Sequence, residues 1–324
     1  MPVWSVFDRQ VQRKHPFFTD EGKRVAKFRL SRAVRDAGIK VVLTGEGSDE
    51  IFAGYPHYRR DLFLKLAATD PVQADKHLKD LNGSNAVSRG ILMPDGEGLS
   101  LDPIRRVLGG FAPTWIEAFA STGKKIASVL SPEACAQAES QRAAATFIGS
   151  IEATRRLRGR HVLHQSMYLW SKSTLPNYIL SVLGDRMEMA HSVEGRVPFL
   201  DHRVVELTTR LPIDRLIRGA VEKYALREAA KPFITESIYR RQKHPFLAPP
   251  ASAKRDGELN ELMQDTLTGA AVRDVPFFDP GRVAALVAAL PRVAPEDRAA
   301  LDFPLMSVLS VALMNREFRM TSAA

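Results

Sequence analysis

Residues Thr44-Gly45-Glu46-Gly47-Ser48-Asp49-Glu50 place three carboxylates and two glycines directly after the apolar run Val41-Val42-Leu43. Glycine permits backbone conformations and a close ligand approach that a side chain would obstruct. Carboxylates this close repel one another unless a cation or donor offsets them. A divalent metal is the usual solution, and Mg²⁺ favours one or two carboxylates plus phosphate oxygens. A loop of this kind at the carboxyl end of a strand is how an α/β enzyme places anionic substrates and a metal. The same residues also make a solvated acidic turn, with Ser48 and Asp49 as caps for a helix through Ile51-Phe52-Ala53-Gly54-Tyr55. The loop alone does not choose between these readings.

Two later segments carry charge in patterns that chemistry can use. In Ser192-Val193-Glu194-Gly195-Arg196-Val197-Pro198-Phe199-Leu200-Asp201-His202-Arg203, charged residues flank an apolar core. Glu194 with Arg196, or Asp201 with Arg203, would fix a turn as ion pairs, so residue types alone favour a structural corner with His202 as a packing or surface residue. In Arg240-Arg241-Gln242-Lys243-His244-Pro245-Phe246, a cationic cluster adjoins a proline and an aromatic. It could supply positive charge where a leaving phosphate develops charge, although by itself it reads as a basic surface loop.

The elements that must position these residues follow from periodicity. Residues 21–37 predict a helix with Ala26, Leu30, Ala33, Val34 and Ala37 on one face and Gly38 as its stop. Ile39–Leu43 predicts a short strand buried on both faces, as in a parallel sheet. Helix, strand, glycine loop and helix form the α/β rhythm. Residues 82–103, rich in turn formers, read as a surface insertion. Residues 115–170 are helical in pattern, and a further helix starts at Leu175-Pro176 and runs to about Met189. Val221–Ala230 predicts another helix, closed by Pro245, Pro249 and Pro250. Residues 251–324 form a helical C-terminal part, with a cap at Asp279-Pro280 and a last helix from about Pro304 to Phe318. That helix has Leu305, Leu309, Ala312 and Leu313 on one face. The fold class is α/β, helix-rich, with few strands and no internal repeat, in one domain over residues 1–324.

Composition sets the outer bounds. The 324 residues are 45% hydrophobic and 26% charged, an ordinary globular balance. No apolar run reaches the ~18 residues of a membrane span, and the first residues lack the apolar stretch of a secretory signal. One cysteine, Cys135, excludes an internal disulfide and a multi-cysteine metal cluster. The cytoplasm is therefore the default location. The formal net charge is +9, but Lys and Arg are dispersed in short pairs such as Arg59-Arg60, Arg105-Arg106 and Arg240-Arg241, without an aromatic-interleaved stripe. A basic surface with a cationic phosphate pocket explains that charge better than nucleic-acid binding.

Taken in order, these segments resemble the synthetase half of glutamine-dependent asparagine synthetases. That family's glycine–acid loop is matched by Thr44 to Glu50 and continues through Tyr55. Its Arg-Val-Pro-Phe-Leu-Asp block is matched by Arg196 to Asp201, after Asp185-Arg186-Met187. Its Lys-x-x-Leu-Arg-x-Ala helix is matched by Lys223 to Ala229, and its Arg-x-Lys-x-x-Phe loop by Arg241 to Phe246. The resemblance runs from about residue 20 to the end of the chain.

The resemblance implies an adenine-nucleotide α-hydrolase-like (HUP) parallel sheet, here partial, with surrounding helices. It implies ATP as co-substrate and Mg²⁺ as cofactor. ATP would activate the side-chain carboxylate of aspartate as an acyl-adenylate with release of pyrophosphate, and ammonia from glutamine would then displace AMP to give asparagine. By similarity, Glu46 contacts the activated aspartyl group and handles ammonia, and Lys243 stabilises phosphate charge. Gly45, Gly47 and Ser48 lie against the nucleotide, and Asp49 is the metal-side carboxylate. Glu50, Asp185, Glu194, Arg196, Asp201, Lys223 and Arg241 would support the pocket. Glu46 also separates the chain from the related β-lactam-forming synthetases, which carry tyrosine there.

Two departures shape the expectations. The family's Ser-Gly-Gly-x-Asp-Ser loop, source of a second metal-binding aspartate and the main pyrophosphate contacts, has no match. The family's catalytic cysteine after the initiator Met is also absent, since Met1 is followed by Pro2. The chain thus resembles the C-terminal portion of such an enzyme, with an unpaired sheet edge on which Trp4, Phe7, Phe17 and Phe18 could lie. A separate polypeptide carrying the glutaminase and the ATP loop, or a second copy of the chain, is the expected partner. The alternatives are a truncated, non-catalytic fragment and an amide-forming ligase for a natural-product substrate.

Overall fold

The computed structural model describes residues 20–84, 93–94, 97–140, 142–241, 243, 258–293 and 295–320. Trp4, Phe7, Phe17, Phe18, His244, Pro245, Phe246, Pro249 and Pro250 lie outside the described residues. In chain order the elements begin with α1 (Asp20–Asp36), β1 (Val41–Leu43), α2 (Ser48–Ile51), α3 (Pro56–Leu66), α4 (Pro71–Ser84), α5 (Asp102–Leu108) and α6 (Thr114–Ala127). Then come α7 (Pro132–Ser140), α8 (Ala143–Gly149), α9 (Ala153–Leu157), α10 (Val162–Lys172), α11 (Leu175–Asp185) and α12 (Arg186–Met189). The remainder is β2 (Glu194–Arg196), α13 (His202–Thr208), α14 (Ile213–Leu216), β3 (Ile217–Arg218), β4 (Val221–Glu222), α15 (Tyr224–Ala230), α16 (Glu236–Arg240), α17 (Glu258–Thr268), α18 (Ala270–Arg273), α19 (Pro280–Ala289) and α20 (Pro295–Phe318). Helix dominates, and the class is α/β with small sheets.

β1 and β2 pair in parallel, with Val41 opposite Glu194, Val42 opposite Gly195 and Leu43 opposite Arg196. This brings the segment after α12 beside the strand that launches the acidic loop. Among the described residues the parallel sheet is these two strands. The expected burial of β1 on both faces is corrected: Ile39, Val41 and Leu43 are 48%, 40% and 75% exposed. The physical reason is that no described strand pairs with the outer edge of β1 and no described layer covers its outward side chains. The same correction applies to α1. Its buried positions are Val25, Phe28 and Ser31, while Leu30 faces solvent. Ser31 Oγ bonds the Met187 carbonyl at 2.7 Å and meets His191 Nδ1 at 2.7 Å, and Phe28 packs edge-on against the His191 ring. Docking onto α12 therefore selected a stripe one step away from the most apolar one.

The predicted helix Val221–Ala230 is shortened by a hairpin. Ile217 pairs with Glu222 and Arg218 with Val221, antiparallel, around a turn in which Gly219 has φ +60°. α15 begins only after Lys223. The helix predicted from Leu175-Pro176 does form, but α11 is wound in wide π turns before α12 resumes the ordinary pitch. The final helix extends upstream of its expected start, running through Pro304 from Pro295. Strong helix formers at Ala299, Ala300 and Leu301 carry it past the one backbone donor that Pro304 lacks. Asp279 caps α19 as expected, accepting from Arg282 N at 3.0 Å.

Two main cores form. One gathers Tyr58, Ile104, Trp115, Leu157, Leu163, Leu169, Trp170 and Ile179 behind the acidic loop. The other joins α17–α20 with Val129 and buries Leu305, Leu309, Ala312 and Leu313. Within residues 82–103, Met93 is buried with Phe63 and Leu81, and Leu101 is buried at the start of α5. No helix among the described residues is long and apolar enough to cross a membrane.

Candidate functional site

The three carboxylates of the acidic loop point to three different sets of partners. Glu46 Oε1 lies 2.7 Å from the ammonium of Lys27 on α1. Asp49 lies between two ammonium groups, with Lys223 Nζ 2.6 Å from Oδ1 and Lys243 Nζ 2.9 Å from Oδ2. Glu50 turns inward, 2% exposed, and its Oε1 accepts from the Tyr55 hydroxyl at 2.6 Å and from Trp170 Nε1 at 3.3 Å. Burial pushes the Glu50 carboxyl up, opposed by the Tyr55 bond. Burial likewise pushes the Tyr55 hydroxyl well up. Ser48 is buried and accepts from Lys223 Nζ at 3.2 Å. Gly47, at φ +90°, is packed under Leu200, whereas open space surrounds Gly45. Of the two glycines, only Gly45 offers bare backbone to a ligand.

Protein donors thus meet each carboxylate of the loop. Among the described residues no group of three or more His, Cys, Asp or Glu side chains could hold a metal ion. Asp49 is already countered twice by lysine. Magnesium bound mainly through phosphate oxygens needs only one or two protein carboxylates, of which Asp49 could supply one. Around Asp49 the charge pattern is two ammonium groups on one carboxylate.

Each lysine is placed by a specific piece of architecture. Lys223 follows the β3–β4 hairpin in the left-handed region at φ +53°, a conformation that costs a non-glycine residue about 1 kcal/mol. This aims its side chain across Gly54 to Asp49. A Cβ on Gly54 would run into both Asp49 Oδ1 and Lys223 Cε, so the absent side chain makes the ion pair sterically feasible. Lys243 is held through its backbone: its N–H donates to Glu222 Oε1 at 3.2 Å. Glu222 is buried between Arg227, at 2.9 Å, and Arg59, at 3.6 Å. Arg227 Nη1 also donates to the carbonyls of Tyr239 and Arg241 at 2.8 and 2.9 Å. The arginine–glutamate–arginine unit thus clamps the segment that delivers Lys243. Burial lowers the Arg59 guanidinium from its usual range, with Glu222 opposing and Arg227 reinforcing that shift.

The other sequence-predicted residues fall into two groups. Arg241 contributes its carbonyl to the Arg227 clamp, and Asp185 ends α11 beside Glu188. By contrast, Glu194 and Arg196 pair with each other at 2.8 Å on the surface. Asp201 caps α13, accepting from Arg203 N at 2.9 Å and pairing with the Arg203 side chain at 3.1 Å. Arg203 holds the Asp201 carboxyl below its usual range. These three side chains serve the local turn, as the residue types alone suggest.

Sequence reading missed Lys27, Glu188, Arg59, Glu222, Tyr55 and Trp170. Lys27 left little signal, being one of six basic residues in a helix that reads DEGKRVAKFRLSRAVRD. Glu222 left none, because its partners come from α3 and α15. Behind the loop, His57 is fully buried in a box formed by Tyr55, Tyr58 and Trp170, and burial pushes its imidazole well below the usual range. Asp61 is also fully buried and accepts from Thr114 N and Oγ1 at 2.8 and 2.6 Å. Burial raises its carboxyl to about 7, opposed by Ser166, Thr114 and Arg60.

The family model for asparagine synthase matches residues 11–315. Amidase chyE of Penicillium rubens is 30% identical over 268 residues, covering 79% of this chain and 39% of that protein. A putative asparagine synthetase (glutamine-hydrolyzing) of Mycobacterium tuberculosis is 30% identical over 243 residues, covering 71% of this chain and 33% of that protein. Asparagine synthetase (glutamine-hydrolyzing) 1 of Bacillus subtilis is 27% identical over 244 residues, covering 72% and 35%. The chain thus spans about a third to two-fifths of the length of these relatives. With a match over nearly its whole length, through the acidic loop and both lysines that meet on it, the chain belongs to the asparagine synthase family.

Proposed function

We propose that this chain forms the adenylating part of an ATP-dependent amide ligase acting on aspartate. The observation that carries the reading is the pair Lys223 and Lys243 converging on Asp49 at the end of β1. Their charge exceeds that of Asp49 by one, so the pocket attracts a polyphosphate. In this reading Lys243 and Lys223 take the phosphates of ATP while Gly45 leaves room for backbone to approach the nucleotide. Holding two mutually repelling anions, triphosphate and carboxylate, in one site is the main barrier such a reaction presents. The aspartate carboxylate attacks the α-phosphorus and pyrophosphate leaves. Ammonia then forms the C–N bond as the C–O bond to AMP breaks, and its surplus proton goes to Glu46.

A glutaminase and an ATP-binding loop supplied from outside the described residues are what we infer, on a sheet of adenine-nucleotide α-hydrolase type completed beside β1. The exposed Ile39, Val41 and Leu43 support that reading, because an apolar strand with an open edge invites a further strand. Aspartate-dependent ATP–pyrophosphate exchange tests it, with the chain alone and with the product of the coding sequence immediately upstream. Exchange is expected only in the mixture, and Glu46→Ala and Lys243→Ala should each abolish the overall reaction while the fold persists. Retained amide formation in either variant would remove that residue from the mechanism. The fungal amidases favour a second reading, a carboxylate other than aspartate. Exchange driven by a panel of amino acids and aryl carboxylates, but not by aspartate, would select it.

A further inference from the structure

Tyr55 stands where the acidic loop meets the core. Pro56 follows it, and a residue before proline favours the extended region; Tyr55 accordingly becomes the N-cap of α3 at ψ 148°. Its partly buried side chain packs against the core behind the loop. The ring stacks on His57 at 5.1 Å and 21° and tilts against Trp170 at 5.1 Å. The hydroxyl donates to Glu50 Oε1 at 2.6 Å, the oxygen that also accepts from Trp170 Nε1. The Lys243 ammonium lies 6.0 Å from the centre of the Tyr55 ring and 2.9 Å from Asp49 Oδ2. Lys243 thus has two partners, a carboxylate and an aromatic ring, while its backbone N–H is anchored to Glu222.

The two partners act differently on the ammonium. Asp49 offsets its charge, and Asp49 is itself shared with Lys223 at 2.6 Å. An aromatic face attracts a cation through its quadrupole and leaves the net charge in place. A phosphate that drew Lys243 away from Asp49 would otherwise have to order a flexible four-carbon stem, at a cost in entropy. We propose that Tyr55 is a positioning residue for phosphate binding: its ring keeps Lys243 beside the loop, still fully charged, when the ammonium exchanges Asp49 for a phosphate oxygen. This rests on the reading of the lysine pair as a polyphosphate site given above. The hydroxyl bond to Glu50 and the stacking on His57 and Trp170 set the ring, whereas the ring itself holds the ammonium. Hydroxyl and ring can therefore be separated by substitution.

Calorimetric titration of the intact chain with inorganic pyrophosphate tests this. Tyr55→Leu should weaken binding about tenfold, within the range of a cation–π contact, whereas Tyr55→Phe keeps the ring and should stay within about threefold of wild type. In a Lys243→Met background, Tyr55→Leu should weaken binding no further, because the ammonium that the ring holds is gone. Progressive fluorination of the ring in Tyr55→Phe withdraws electron density from its face with little change of shape. That series reads the contact even where Tyr55→Leu fails to fold, and affinity should fall stepwise along it. A flat series, an equal loss in Tyr55→Phe and Tyr55→Leu, or a Tyr55→Leu loss that persists in full after Lys243→Met would overturn the proposal and leave the phosphate site standing. Absence of pyrophosphate binding in wild type would instead remove the phosphate reading of the lysine pair, and the proposal with it.

Discussion

Removing the charge of Glu222 is the most demanding test of the architecture. Its side chain is 3% exposed, between Arg59 at 6% and Arg227 at 18%. Glu222→Gln keeps the volume but leaves two guanidinium groups with no carboxylate between them. Breaking a buried pair by neutralising one partner costs about 3–5 kcal/mol, because the surviving charge is stranded in a low dielectric. The same change replaces a charged acceptor for the Lys243 N–H with a neutral one, roughly halving that bond. A chain of this size has about 5–15 kcal/mol of stability, so the variant should remain folded at room temperature with Tm lower by roughly 4–7 °C. Urea unfolding at pH 7.5 measures the loss, and calorimetric titration with inorganic pyrophosphate measures whether Lys243 still reaches its place. Arg59→Met in the Glu222→Gln background should recover part of the stability, since the stranded charge is then gone. A cost below about 1 kcal/mol, the value of an exposed pair, would refute the view that this clamp holds the Lys243 segment.

Further outcomes follow from the same geometry. Gly54→Ala should weaken pyrophosphate binding at least tenfold with little change in Tm, because the new Cβ separates Lys223 from Asp49; unchanged binding in calorimetry would contradict the steric argument. Asp61, with its carboxyl raised to about 7, sits above its unfolded value, so its contribution to stability is complete below about pH 4 and is lost as pH rises through 7. Asp61→Asn should remove that part of the pH dependence and be at least as stable as wild type at pH 8, and Tm measured from pH 5 to 8 decides this.

What the sequence disclosed and what it withheld divide by range. The strand end, the glycine–acid loop, the Asp279 cap and the apolar face of the last helix are written in neighbouring residues, and local chemistry was enough to read them. Lys223 stands differently. Its helix-forming neighbours predict a continuous helix, yet the pairing of Ile217 with Glu222 pulls residues 221–222 into a hairpin and forces the turn at Lys223. Tertiary pairing overrode propensity there, and it did so at a residue that reaches the site. The choice of Val25 and Phe28 over Leu30 as the buried face of α1 is of the same kind, since it depends on α12, more than 150 residues away.

The acidic loop shows most plainly why local pattern stops short. Three carboxylates in six residues pose one electrostatic problem, and a single divalent cation is its simplest local answer. The fold supplies protein donors to all three, with Lys27 from α1, a tyrosine and a tryptophan from the core, and a lysine pair from beyond the second hairpin strand. Each answer uses a partner that adjacent residues cannot reveal. The distribution also has a chemical consequence. Glu50 anchors the loop to the core, buried away from the open side with its oxygen accepting from Tyr55 and Trp170. Glu46 keeps a single-lysine partner, and Asp49 is left in surplus positive charge. One short loop is thereby divided into a side with two ammonium groups around Asp49 and a side where Glu46 is matched by a single one. The adenylation and aminolysis proposed above would use that division, which is carried by where Lys27, Lys223 and Lys243 come from rather than by the loop's own sequence.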